Sequence, residues 1–223
     1  MINPSGSPSR FATPSVSVFL LTLLATTLAT DARTSILDAS DCNQLAGIAE
    51  AAPRHSWAMH ERWPGVFTTD KIALAPQRSF LFRFSLDKIP PGQRISHAQL
   101  TLPVTQRYGS QPRFYLWRIT AGWGPGVCYR YRSATPKPVK WTKPGAAGLS
   151  SDRATRPTDI VRLIENGDVT INVTEDVEIW HSGAAKNNGW LLSIEDPGIN
   201  VDVRSPLTGR SSGWKLRITY EPE

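Results

Sequence analysis

The chain has 223 residues, 40% of them hydrophobic and 20% charged, with 25 Lys plus Arg against 19 Asp plus Glu. That length suits one domain with an extra segment. The apolar fraction excludes a disordered solvating chain, and two cysteines exclude a disulfide-dense mini-protein or a multi-cysteine zinc domain. A formal charge of +6 permits an anionic partner, but the cations are spread along the chain rather than gathered in a tail, so nucleic acid is not the expected one.

Residues Met1 to Ala32 read as a secretory signal. Arg10 is the only charge before the apolar run Val16 to Ala25, and small residues offer cleavage near Ala29 or Ala32. That run is shorter than the roughly 20 residues that cross a bilayer, so no membrane span is expected in the mature chain. Export allows a disulfide between Cys42 and Cys128, which by the chain-entropy argument would contribute roughly 4 to 5 kcal/mol. The alternative is two separate buried thiols.

Residues 33–77 form an amino-terminal segment of weak periodicity containing His55, Trp57, His60, Glu61 and Trp63. One or two edge strands and loops are expected there. From Arg78 onward the signal has period two. Phe80, Phe82, Phe84 and Leu86 alternate with Leu81, Arg83 and Ser85, and Ala98, Leu100, Leu102 and Val104 alternate with Gln99, Thr101 and Pro103. Further strands are predicted at Phe114 to Thr120, Asp159 to Ile164, Val169 to Val173, Trp190 to Ile194, Val201 to Arg204 and Trp214 to Tyr220, with a hairpin turn at Asn166-Gly167-Asp168. One short helix follows Thr174, the expected N-cap. Glu175 and Asp176 suit its positive end, Val177 and Trp180 share a face, and Gly183 ends it. Short strands separated by Pro/Gly-rich connections predict an all-β, antiparallel sandwich over residues 78–223 with one short helix.

The order of these motifs resembles the DNRLRE-type jelly-roll domains, grouped with carbohydrate-binding modules of family 96. The resemblance is carried by Arg78 to Gly92, with its Ile89-Pro-Pro-Gly92 turn, and by Ile95 to Leu102, Leu116 to Thr120, Trp123-Gly-Pro-Gly126 and Trp141 to Gly145. The closing part adds Val173 to Trp180, Asn188-Gly-Trp-Leu-Leu192 and Leu216 to Tyr220. It implies a secreted jelly roll, found in extracellular and polysaccharide-acting proteins, without catalytic residues of its own. Pro125 and Ala146-Ala147 depart from the family's acidic positions, so no calcium or polar contact is carried over there.

If the apolar faces fill the core, the opposite faces carry Arg83; Gln99 and Thr101; Tyr115 and Trp117; Thr170 and Asn172; and Lys215 and Arg217. Tyr115 and Trp117 are two apart, so their rings would lie roughly 6.5 to 7 Å from each other along the strand, a spacing compatible with neighbouring sugar rings. Aromatic faces cover sugar C–H surfaces, and Arg or Lys pairs with carboxylate or sulfate. Tyr115, Trp117, Arg83, Lys215 and Arg217 are therefore the expected ligand-binding residues, for a polysaccharide and an acidic one in particular. The alternative is that this face is simply part of the sandwich, covered by a loop or by the amino-terminal segment. A second candidate patch is Tyr129, Arg130, Tyr131 and Arg132, with Arg153 and Arg156 later. Trp123, Trp141, Trp180 and Trp190 read as core or loop anchors.

No nucleophile elbow, His-Glu-x-x-His pair, phosphate loop or dinucleotide fingerprint occurs. The five-residue step from His55 to His60 is not a zinc spacing. A non-catalytic module without cofactor or metal is expected, with a structural or adhesion module of an extracellular or envelope assembly, meeting a protein partner, as the alternative.

Overall fold

The computed structural model describes residues 31–58, 68, 70–109 and 111–222. The signal-like segment, apart from its last two residues, lies outside them, as do His60, Glu61 and Trp63. The described chain is an antiparallel β-sandwich of two six-stranded sheets, with one α-helix and a two-stranded ribbon.

The first sheet is built on a long strand, β6, numbered in chain order after β1 (Arg33–Asp38), β2 (Cys42–Ala49), β3 (Trp57–Ala58), β4 (Lys71–Leu74) and β5 (Arg78–Phe84). β6 itself spans Gln93–Tyr108. Its neighbours come from β7 (Arg113–Arg118), β8 (Tyr131–Ser133), β9 (Val139–Lys140), β10 (Asp159–Arg162), β11 (Gly167–Asn172), helix α1 (Thr174–His181), β12 (Trp190–Ile194), β13 (Asn200–Arg204) and β14 (Lys215–Pro222). β11 pairs with one edge of β6 over Gln99–Val104. β14 and β13 therefore share the other edge, lying end to end. β1 flanks β14 and β4 flanks β13. The second sheet runs β10-β7-β12-β5-β2-β3.

The chain changes sheet at most connections, from β1 to β2, β3 to β4, β4 to β5, β5 to β6, β6 to β7, β10 to β11, β11 to β12 and β12 to β13, which is the winding of a jelly roll. Residues 33–77 supply four strands, three of them at sheet edges. The turn at Asn166-Gly167-Asp168 does not make the expected hairpin. β10 pairs with β7 and β11 with β6, so the turn arches between sheets. Leu163 and Val169, on either side of it, join the same core.

That core lies between the sheets and is filled by the period-two residues. Phe80, Phe82 and Phe84 meet Leu100, Leu102, Leu216 and Ile218, with Trp190 and Trp214 fully buried among them. Phe82 sits edge-on to Trp214 at 5.0 Å, and Trp180 edge-on to Trp190 at 4.5 Å, geometries that aromatic quadrupoles favour. Gly189 has φ +74°, and a Cβ there would lie 2.1 Å from the carbonyl oxygen of Phe82, so the start of β12 has room only for glycine.

Helix α1 closes one end of the core through Val177 and Trp180. Its first residue is Thr174, and Val173 holds the N-cap position without a side-chain bond. The Thr174 hydroxyl is instead engaged by β6, accepting from the Ala98 amide at 2.9 Å. The neighbouring sheet outcompetes local capping for this side chain.

Candidate functional site

The expected five-residue ligand face does not form. Trp117, Leu191, Leu81 and Ala46 stand in one row across β7, β12, β5 and β2, on the outer side of the second sheet. With Ile48, Ile119, Val127, Trp141 and Ala146 they make a second apolar core. The cover is residues 119–158, the connection between β7 and β10. Trp117 is only 7% exposed, and the Arg153 guanidinium lies 3.6 Å over its ring. Burial pushes the Arg153 pKa down, against the opposing pull of Asp152 and of Glu195, whose carboxylate lies 3.9 Å from Nη1. Tyr115, half-buried, packs at the margin of the same cluster. Trp117 is therefore a core residue, because the loop offers its ring more apolar contact than water can.

The cover is fastened by a carboxylate. Asp152 is 1% exposed, and its oxygens accept from the backbone amides of Thr142, Lys143 and Gly148, each at 2.9 Å. Trp141 Nε1 donates to the Cys128 carbonyl, and Trp123 Nε1 to that of Asn188. The second candidate patch lies in this cover. Arg130 is exposed, while Tyr129, Tyr131 and Arg132 are half-buried. Arg132 is tied down by donating to the Gly122 carbonyl at 2.6 Å.

Cys42 and Cys128 are both buried and unbonded, so the expected disulfide is absent. Cys42 belongs to the core between the sheets, whereas Cys128 belongs to the cover on the far side of the second sheet. Burial drives the Cys42 thiol far up from its ordinary pKa, which keeps it protonated and unreactive.

Lys215 and Arg217 occupy the outer side of the other sheet, away from Tyr115, Trp117 and Arg83. The pairing register puts Thr170, Thr101, Lys215 and Asp38 in one row across β11, β6, β14 and β1. Asn172, Gln99, Arg217 and Ile36 form the next row. No described segment covers these rows: Thr170, Asn172, Lys215 and Arg217 are exposed, and Ile36 is 50% exposed. Among the described residues neither cation comes within ion-pair distance of an acid. Asp38, beside Lys215, is engaged by Ser40 and by Arg210 at 3.2 Å.

Asn172 also lines a cleft of about 730 Å³, with Arg118, Arg156, Thr158, Asp159, Glu175 and Asp176 among its other lining residues. Its floor is a buried network. Asp176 Oδ2 accepts from Thr158 Oγ1 at 2.6 Å and from Trp190 Nε1 at 2.7 Å, and Oδ1 lies 2.8 Å from Arg118 Nε. Burial raises the Asp176 carboxyl above its ordinary pKa, against the opposing pull of these partners. In the sequence Asp176 is a first-turn helix acid. Nothing local marks it as the residue that joins helix, loop and sheet.

Among the described residues no group of three or more His, Cys, Asp or Glu could hold a metal ion, and no helix is long and apolar enough to cross a membrane. The His55 ring lies 4.6 Å from that of Trp57, tilted by 45°. No protein-family model matches the chain, and no curated protein sequence matches it.

Proposed function

We propose that the protein is a secreted, non-catalytic sandwich module that binds polysaccharide, an acidic one in particular, on the bare face around Lys215 and Arg217. The DNRLRE-like, family 96-like order of motifs supports this reading. The observation that carries it is the pair of exposed cations, alternating on β14, without acidic partners among the described residues and set among the amide and hydroxyl side chains of Gln99, Asn172, Thr101 and Thr170. Alternate residues on a strand stand roughly 6.5 to 7 Å apart, a spacing that suits charges on adjoining sugar rings. Amides and hydroxyls supply both donors and acceptors for sugar hydroxyls.

Affinity electrophoresis with an acidic polysaccharide, against the same polymer after carboxyl reduction, tests the reading. Selective retention that weakens with salt and is lost in the Lys215→Ala/Arg217→Ala double variant is expected. Retention that survives the double variant, or none by the native chain, overturns it.

A second reading is an adhesion module that meets a protein partner in an extracellular or envelope assembly. It is favoured by Ile36, half exposed on the edge strand β1 in the row of Arg217. Pull-down with Ile36→Asp as the control separates the two, since glycan retention should survive that change.

A further inference from the structure

Arg83 belongs to neither the bare face nor the covered core. Its Nε donates to Asn43 Oδ1 at 2.8 Å, and its remaining guanidinium N–H groups have no acceptor among the described residues. No carboxylate there pairs with it, and burial alone lowers its pKa. An arginine that gives up water without a counter-ion is costly unless something else supplies the negative charge.

Arg83 lines a pocket of about 450 Å³, where polar Asn43, Ser85 and Asn187 are joined by apolar Leu86, Ile89, Pro91 and Trp180. Trp180 Nε1 and His181 Nε2, on two further lining residues, are buried with no hydrogen-bond partner among the described residues, whereas buried polar groups ordinarily have one. Asp87 also lines the pocket but is exposed, and it makes no ion pair with Arg83. Lys88, the neighbouring cation, is already held by Asp41 at 2.8 Å. One cation without an acidic partner among the described residues, in a pocket that also holds Leu86, Ile89, Pro91 and Trp180, matches a singly charged ligand with an apolar body, not a doubly charged phosphate.

We propose that this pocket binds a small organic carboxylate, its two oxygens on the Arg83 fork and its apolar body against Ile89, Pro91 and Trp180. The site is independent of the polysaccharide reading, since it lies on different strands and uses neither Lys215 nor Arg217.

Saturation-transfer NMR and calorimetry on the full chain, with benzoate, acetate and the neutral isostere benzamide, provide the test. Saturable benzoate binding is expected, at least about tenfold tighter than benzamide, because a hydrogen bond to a charged group is worth roughly 1.5–3 kcal/mol. Acetate should bind more weakly than benzoate. Arg83→Gln should abolish the preference for benzoate over benzamide, Arg83→Lys should keep part of it, and Lys215→Ala/Arg217→Ala should leave it unchanged. Circular dichroism and thermal unfolding of each variant confirm folding. Equal binding of benzoate and benzamide, no saturable benzoate binding, or a folded Arg83→Gln variant that keeps the preference overturns the proposal. Loss of polysaccharide retention alone does not touch it.

Discussion

The outer faces of the two sheets differ although both sheets are built of alternating strands. On the first sheet, β14 reads Lys-Leu-Arg-Ile-Thr-Tyr, with Leu216, Ile218 and Tyr220 buried and Lys215 and Arg217 exposed. On the second, β12 reads Trp-Leu-Leu-Ser-Ile and every residue is buried. A strand with one apolar face is satisfied by one core. A strand apolar on both faces needs a second layer, and residues 119–158 provide it with Trp141, Val127 and Ala146. The aromatic ring that looks like a binding platform from its strand position is on the covered face, and the exposed cations are on the bare one.

Removing Trp117 should have the largest effect on this contrast. Trp117→Ala should lower stability by about 3–5 kcal/mol, the usual range for deleting a buried aromatic, measured by urea denaturation. The Lys215→Ala/Arg217→Ala pair should stay within about 0.5 kcal/mol of the native chain. A silent Trp117→Ala would mean that the cover contributes nothing.

Asp152→Ala should cost about 2–3 kcal/mol by leaving three backbone donors without their acceptor. The cost should be local, with limited proteolysis cutting first within 119–158 while the sheets persist. Uniform loss of protection across the chain would instead make cover and sandwich one cooperative unit.

Asp176 gives a smaller, pH-resolved effect. Burial raises its folded-state pKa above the ordinary 3.8. Its protonated form therefore contributes stability that is complete below pH 3.8 and is lost as pH rises through the raised value. The stability of the native chain relative to Asp176→Asn should fall across that interval and then level off. A difference that is flat with pH would show that Arg118, Thr158 and Trp190 cancel the burial.

Asp196 supplies the opposite slope and the smallest effect. Hydrogen bonds from Arg113, 2.6 Å from Oδ1, hold its carboxyl below the ordinary range. Its contribution is present above pH 3.8 and lost as pH falls through the lowered value, and Arg113→Ala should remove that acid-side loss in urea titrations.

Much of the sandwich was legible in the sequence. The alternation of Phe80, Phe82 and Phe84 and of Leu100 and Leu102 fixes which side of each strand is apolar, and Gly183 ends α1 as its left-handed tolerance predicts. The same alternation lists Gln99, Thr101, Thr170, Asn172, Lys215 and Arg217 as outward residues, and these do assemble into one face. Arg83 could not be assigned from its strand, because the pocket around it is completed by the Leu86–Gly92 turn and helix α1.

Local sequence thus determined strand sidedness, the helix and the residues of the central core, since these follow from the periods of the backbone. Tertiary structure alone decided the rest. Strand order put Lys215 and Arg217 on the opposite sheet from Trp117, the cover buried that ring, and two buried thiols came to lie on either side of a sheet. Each of these depends on which distant segment packs against a face, and the pattern of a single strand does not encode that.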